Sequence, residues 1–159
     1  MRWKGITLSA GGDFLDRRTK EHILGEKNIR TKDMGTEELI KMVIECAYEV
    51  RMRLAAGFLE SVYQKAMLIE LCQRGILADS EVPIHVYYRD NVVGEFRADI
   101  LVENKIIVEL KAVQRLNPIH ESQLVNYLTA THKDHGLLIN FGGERIEIRR
   151  KFREYKHRV

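Results

Sequence analysis

The 159-residue sequence predicts an α/β domain of the α+β kind, with elements in the order helix, helix, three strands, helix, strand. Three observations carry that expectation. Apolar residues recur at helical spacing between Thr36 and Arg74, and side chains alternate in character between Val82 and Ala112. An Asn-Pro pair at 117–118 then opens a further helical stretch before the apolar run 136–141. The length suits one domain with its own core and is short for two.

Residues 1–35 are Gly-rich and charged with little periodicity, and read as a basic extension before a domain at 36–150. A helix starts at Thr36 with Glu37 and Glu38 in its first turn, where acids meet the positive end of the helix dipole. Leu39, Val43, Cys46, Ala47, Val50 and Leu54 form its apolar stripe, and Gly57 breaks it. The second helix is expected from about Phe58 to Arg74, with Leu59, Val62, Ala66 and Ile69 facing the core and Gly75 as its stop. Strands follow at 82–88, 92–103 and 106–112, with turns at 89–91 and around Asn104-Lys105. Asn117 caps a helix at about 118–132, and Gly136–Phe141 suits a buried strand. The segment from Arg145 alternates briefly as a strand, then passes into a basic tail at 151–159.

Composition excludes some classes of function. Apolar residues make up 45% and charged residues 31%, as in ordinary globular proteins. No apolar run approaches the roughly 20 residues of a membrane span, and the opening MRWKGITLSAGGDF lacks the apolar centre of a secretion signal, so no membrane association and a cytoplasmic location are expected. Cys46 and Cys72 lack metal-site spacing and read as buried free thiols. The net charge of +3 is unevenly spread. Residues 1–35 hold eight Lys/Arg against five Asp/Glu, residues 144–159 seven against three, and the middle eleven against fifteen. Basic ends suit a polyanion such as nucleic acid, or are simply solvated.

The segment ADILVENKIIVELKA, 98–112, sets Asp99, Glu109 and Lys111 into apolar runs. Phe96, Ala98, Ile100 and Val102 fall on one face of their strand and Asp99 on the other, because side chains alternate. A two-residue loop would pair Asp99 with Leu110 and separate the charges. A three-residue loop would pair Asp99 with Lys111 and Leu101 with Glu109, placing all three charges on one face, and burial favours that odd-length loop. Two converging carboxylates repel, and a hard divalent cation resolves the repulsion. Mg²⁺ fits, held by one or two carboxylates with water and phosphate oxygens, and the Leu110 carbonyl offers another ligand. Lys111 beside the bound water would orient it or take up its proton, an arrangement suited to phosphodiester hydrolysis. The plainer alternative is a cross-strand Asp–Lys pair with a spare Glu on a solvated face. A second Glu-x-Lys, Glu154-x-Lys156, lies in the charged tail and reads as surface.

Further motifs bear on the choice. Gly57-Phe-Leu-Glu60-Ser-Val-Tyr63, Ala98-Asp99 followed by Glu109-Leu110-Lys111, Gln123-Leu-Val-Asn-Tyr127 and GLLINFG at 136–142 together resemble the PD-(D/E)XK nuclease superfamily, in particular its GxxExxY proteins. The resemblance covers about residues 37 to 150 and implies a restriction-endonuclease-like αβββαβ core, a mixed central sheet flanked by helices, with the first helix as an addition. It implies Asp99 and Glu109 as metal-binding acids, Lys111 as the catalytic lysine and Glu60 as an acid reaching the metal directly or through water. Gln123 matches a residue that helps position the site, and Tyr63 and Tyr127 are supporting residues. Ala98 departs from the Pro that often leads the motif.

The resulting expectation is a Mg²⁺-dependent nuclease, with Mn²⁺ as substitute, acting on DNA in preference to RNA. Arg149, Arg150, Lys151 and Arg153 are expected to grip the phosphate backbone. A non-catalytic module binding nucleic acid or a protein partner is the rival. A hydrolase for small phosphates finds no Gly-rich loop in support. His120, His132 and His135 read as surface or structural, and the sequence leaves a homodimer open.

Overall fold

A computed structural model describes residues 34–154. The basic extension up to Asp33 and the end of the tail from Tyr155, including Lys156, lie outside the described residues. Three helices, α1 (Thr36–Arg53), α2 (Glu60–Gln73) and α3 (Pro118–Thr131), accompany five strands. These are β1 (Ala78–Tyr88), β2 (Asn91–Val102), β3 (Ile106–Lys111), β4 (His135–Asn140) and β5 (Glu147–Phe152). They form one sheet in the order β1-β2-β3-β4-β5, with β3 and β4 parallel and the other pairs antiparallel. The α+β class, the mixed sheet and the αβββαβ order are as expected, with α1 the added helix and β5 a fifth strand on the far edge.

Each face of the sheet carries its own core. Ile100, Val102, Ile106, Val108, Leu110, Leu137 and Ile139 pack against Leu39, Val43, Ala47 and Val50 of α1 and Tyr63, Met67 and Leu71 of α2. Ile107 and Leu138 face the other way, with Ile84 and Ala98, onto Leu124, Tyr127 and Leu128 of α3. β3 is therefore buried on both sides, as the strand at the centre of a helix-covered sheet must be.

Two packing expectations change. The core face of α2 is Tyr63, Met67 and Leu71, while Leu59 is 77% exposed and precedes the helix as its N-cap. Tyr63 decides this rotation, since its ring stacks on Phe141 at 4.7 Å in the core. The even-numbered side of β2 also divides. Ala98 joins the α3 cluster, whereas Ile100 and Val102 join the α1/α2 cluster. The change falls at Asp99. The β1–β2 register passes from Ser80–Ile100 to Val82–Ala98 and skips Glu81 and Asp99, and Glu81 has the left-handed φ of +54°. Such a residue outside glycine stores backbone strain.

Candidate functional site

The β2–β3 turn has three residues, Glu103-Asn104-Lys105, the odd length that burial favours. Its register, however, is two residues tighter than expected: Leu101 pairs with Ile107 and Ile100 with Val108. Asp99 consequently meets Glu109, not Lys111. The backbone ladder stops at Ile100–Val108, and side chains take its place one step further. The Leu110 N–H donates to Asp99 Oδ2 at 2.7 Å, and the Asp99 N–H donates to Glu109 Oε1 at 3.3 Å. The two strands thus part where the acids stand, and each acid occupies a backbone amide that the ladder would otherwise have paired.

Glu109 is only 3% exposed, and Lys111, 15% exposed, brings Nζ to 4.0 Å from Glu109 Oε2. Burial, then the neighbouring Asp99 charge, pushes the Glu109 carboxyl up to about 8, against the Asp99 amide and Lys111. Burial also holds Asp99 above the usual carboxylate range, with the Leu110 amide and Lys111 opposing it. Glu60 opens α2 and is raised as well, by burial and then by Asp99, while Lys111 lowers it. The local charge balance is therefore acidic, with three carboxylates around one lysine. Glu81 adds a fourth acid within electrostatic reach, and Gln64 donates from Nε2 both to it and to the Asp99 carbonyl, at 2.7 and 2.9 Å.

The motif around Glu60 has a mechanical explanation. Gly57 takes φ +104°, which lets the chain reverse between α1 and α2. The Tyr63 hydroxyl donates to the Ala55 carbonyl at 2.7 Å and accepts from the Phe58 N–H at 3.3 Å. One buried tyrosine therefore clamps the loop that delivers Glu60 to the start of α2.

On the opposite side of the sheet, Gln123 Nε2 donates to the Tyr127 hydroxyl at 2.8 Å. Burial raises the Tyr127 phenol, with smaller contributions from Glu109 and Asp99, so α3 brings this pair beside the acids. The site is thus assembled from β2, β3, α2 and α3. Asn140 was missed by the sequence reading. It is fully buried at the end of β4, opposite Lys111 in register. Its Oδ1 accepts from the Val113 and Gly142 amides at 3.0 and 3.1 Å, and its Nδ2 donates to the Val113 carbonyl at 2.8 Å. The chain leaving Lys111 is pinned by these bonds. The available signal was the one that marked Asp99, a polar residue inside an apolar run.

The four basic residues lie elsewhere, on or just after β5, and each has an acidic partner. Arg150 meets Glu37 at 2.6 Å, Arg153 meets Asp134 at 2.8 Å, Lys151 pairs with Glu121, and Arg149 reaches Glu147 at 4.0 Å. His120 is a structural residue: its Nδ1 accepts from the Asn117 N–H while Asn117 Oδ1 accepts from the His120 N–H, both at 3.3 Å. Cys46 and Cys72 are both buried, and neither forms a disulfide among the described residues.

Whether this donor set suits a divalent cation can be judged from its chemistry. It consists of oxygen ligands, including a buried carboxyl that ionises only at a cost, a cost that a hard cation would offset. Among the described residues no three His, Cys, Asp or Glu side chains converge as a ready-made cage. A Mg²⁺ ion, which keeps several waters, needs only one or two carboxylates. Among the described residues no helix is long and apolar enough to cross a membrane.

Comparison with known proteins places this geometry in context. A family model for the PD-(D/E)XK nuclease superfamily matches residues 37–151. The crystal structure of SSO0001 aligns with a TM-score of 0.43 at 19% identity, over 86% of this chain and 78% of that one. No curated protein matches significantly.

Proposed function

The chain belongs to the PD-(D/E)XK nuclease superfamily, and from that premise we propose that it is a divalent-metal-dependent nuclease of the GxxExxY type. The observation that carries the reading is the meeting of Asp99 and Glu109 where β2 and β3 separate, with Lys111 Nζ 4.0 Å from Glu109. Asp99, Glu109 and the Leu110 carbonyl would hold Mg²⁺, or Mn²⁺ in its place, with Glu60 reaching it directly or through water. When bound, the ion neutralises charge on the phosphate and makes water a stronger nucleophile. The remaining work falls to the chain. Lys111 orients the attacking water and stabilises the charge that develops as its oxygen bonds to phosphorus and the bond to the leaving oxygen breaks. Gln123, held by Tyr127, positions the water or the phosphate. Arg149, the most exposed and most loosely paired of the basic residues, is the one best placed to take up a backbone phosphate.

Cleavage of labelled DNA and RNA in Mg²⁺ or Mn²⁺ tests the proposal. The parent is expected to cut DNA in preference to RNA. Lys111→Ala should lose ~10²–10⁴-fold in rate, and Asp99→Asn should abolish cutting. If either variant cuts like the parent, the site assignment is wrong. Metal binding without cleavage would favour the rival, a nuclease-fold module that binds nucleic acid or a protein.

A further inference from the structure

Between the β1–β2 hairpin and α3 runs an open groove of about 800 Å³, and of its lining residues the nuclease reading uses only Gln123 and Tyr127. Phe96 and Tyr87 stand in it with 47% and 63% of their surface exposed, and His85 and Tyr127 add two further rings. The amides of Gln123 and Asn126 line the same space. Among its lining residues there is one carboxylate, Glu154, and no lysine or arginine. The groove lies close to the acidic site, whose Glu109 and Asp99 act on Tyr127 in its wall. The Phe96 and Tyr127 rings lie 5.6 Å apart, Tyr127 holds Gln123, and Phe96 is three residues along β2 from Asp99, about 10 Å of strand.

We propose that this groove takes the unpaired bases of a single-stranded nucleic acid, so that the substrate is a single strand or a single-stranded end. The proposal rests on the nuclease reading for the position of the scissile phosphate. Exposed aromatic faces stack bases without regard to sequence, and neutral amides satisfy their edges. A duplex offers neither open faces nor free Watson–Crick edges, and its binding depends on rows of lysine and arginine that this groove does not have. The basic residues of β5 cannot supply such a row without leaving the carboxylates they pair with.

The test is fluorescence anisotropy of the full-length Asp99→Asn protein with an oligothymidine strand and with a blunt duplex of equal length. Phe96→Ala and Tyr87→Ala are each added to that background. The single strand should bind at least tenfold tighter than the duplex, and each variant should weaken it about 5- to 150-fold, the range for losing one stacked base. Tyr87 is mostly exposed, so its variant keeps the test decisive if Phe96→Ala unfolds. Equal affinity for the duplex, or unchanged affinity in Tyr87→Ala, would overturn the proposal and leave the groove to a protein partner. The two readings fail separately. An Asp99-containing protein that binds single strands through Phe96 but never cuts disproves only the nuclease, and one that cuts duplexes regardless of Phe96 disproves only the groove.

Discussion

Glu109 shows how much one side chain can set at this site. Its carboxyl, ordinarily near 4.5, is pushed to about 8 by burial and by Asp99. The folded chain therefore holds a proton that the unfolded chain releases, and ionising the group costs the folded state. Metal-free protein should lose stability as pH rises from about 4.5 to about 8. Denaturant titrations at pH 5 and pH 8 would measure this, and Glu109→Gln should flatten the difference. Equal slopes in parent and variant would show that Glu109 is not the responsible group. Over the same window Mg²⁺ should bind more tightly at higher pH, because uptake displaces that proton. Isothermal titration in two buffers of different ionisation enthalpy would count the protons released. That Asp99, Glu109 and Lys111 come together and that their hairpin is odd in length were legible in the sequence, but not their pairing. Alternation specifies only which face a residue takes, and a two-residue shift along the strand leaves the faces unchanged.

The loop between α1 and α2 behaves as a single device. Gly57 turns it, Tyr63 clamps it, and Glu60 is what it delivers. Tyr63→Phe keeps the stacking on Phe141 and removes both hydroxyl bonds, so it should cost about 1–3 kcal/mol in denaturant unfolding. If the clamp positions Glu60, cleavage should fall by more than the stability loss explains. Loss of stability with full activity would make Tyr63 merely a core residue. The exit from β3 is built equally closely. A Cβ on Gly142 would lie 2.4 Å from the Ala112 carbonyl carbon and the Val113 nitrogen, both backbone atoms that cannot move aside. Gly142→Ala should therefore destabilise by about 1–3 kcal/mol and, if Lys111 serves cleavage, slow it, which a thermal melt beside a cleavage assay would reveal. Helix α1 was largely legible because its apolar stripe is regular: Leu39, Val43, Cys46, Ala47 and Val50 are buried as expected, Ile40 joins them, and Leu54 caps the helix half-buried. The face of α2 was not legible. Leu59, Val62 and Ala66 compete with Tyr63 and Met67 for the core, and only the aromatic stack on Phe141, just past β4, decides between them.

At the scale of the molecule, the two faces of the sheet hold different parts of the site. α2 brings Glu60 and α3 brings Gln123 and Tyr127, so the acids lie where both layers end. At the β5 edge the ion-pair partners of the basic residues were not legible in the sequence. A run of Arg149, Arg150 and Lys151 looks like a solvated tail or a phosphate grip, yet it forms an edge strand whose cations are paired with Glu147, Glu37 and Glu121. Composition cannot foretell these partners, since Glu37 and Arg150 are 113 residues apart. Affinity for a single strand should consequently depend weakly on salt. With one phosphate held by Arg149, the slope of log K against log[salt] is expected near about −0.7, whereas four contacts would give about −3. Anisotropy titrations from 50 to ~300 mM salt would distinguish the two, and the steeper value would mean that the β5 pairs open on binding.

The amides that Asp99 and Glu109 seal have a bearing on how such a protein would drift if cleavage ceased to matter. Each acid closes a gap in the sheet whatever chemistry it serves, so replacing it would expose a backbone donor and unsettle the strand. Descendants released from catalysis would still retain both carboxylates for reasons of architecture. Lys111 carries no such duty, for its Nζ does no more than approach Glu109. The lysine is therefore the position where lost activity would first leave a trace, and among relatives that keep the two acids its presence is the better mark of a working enzyme.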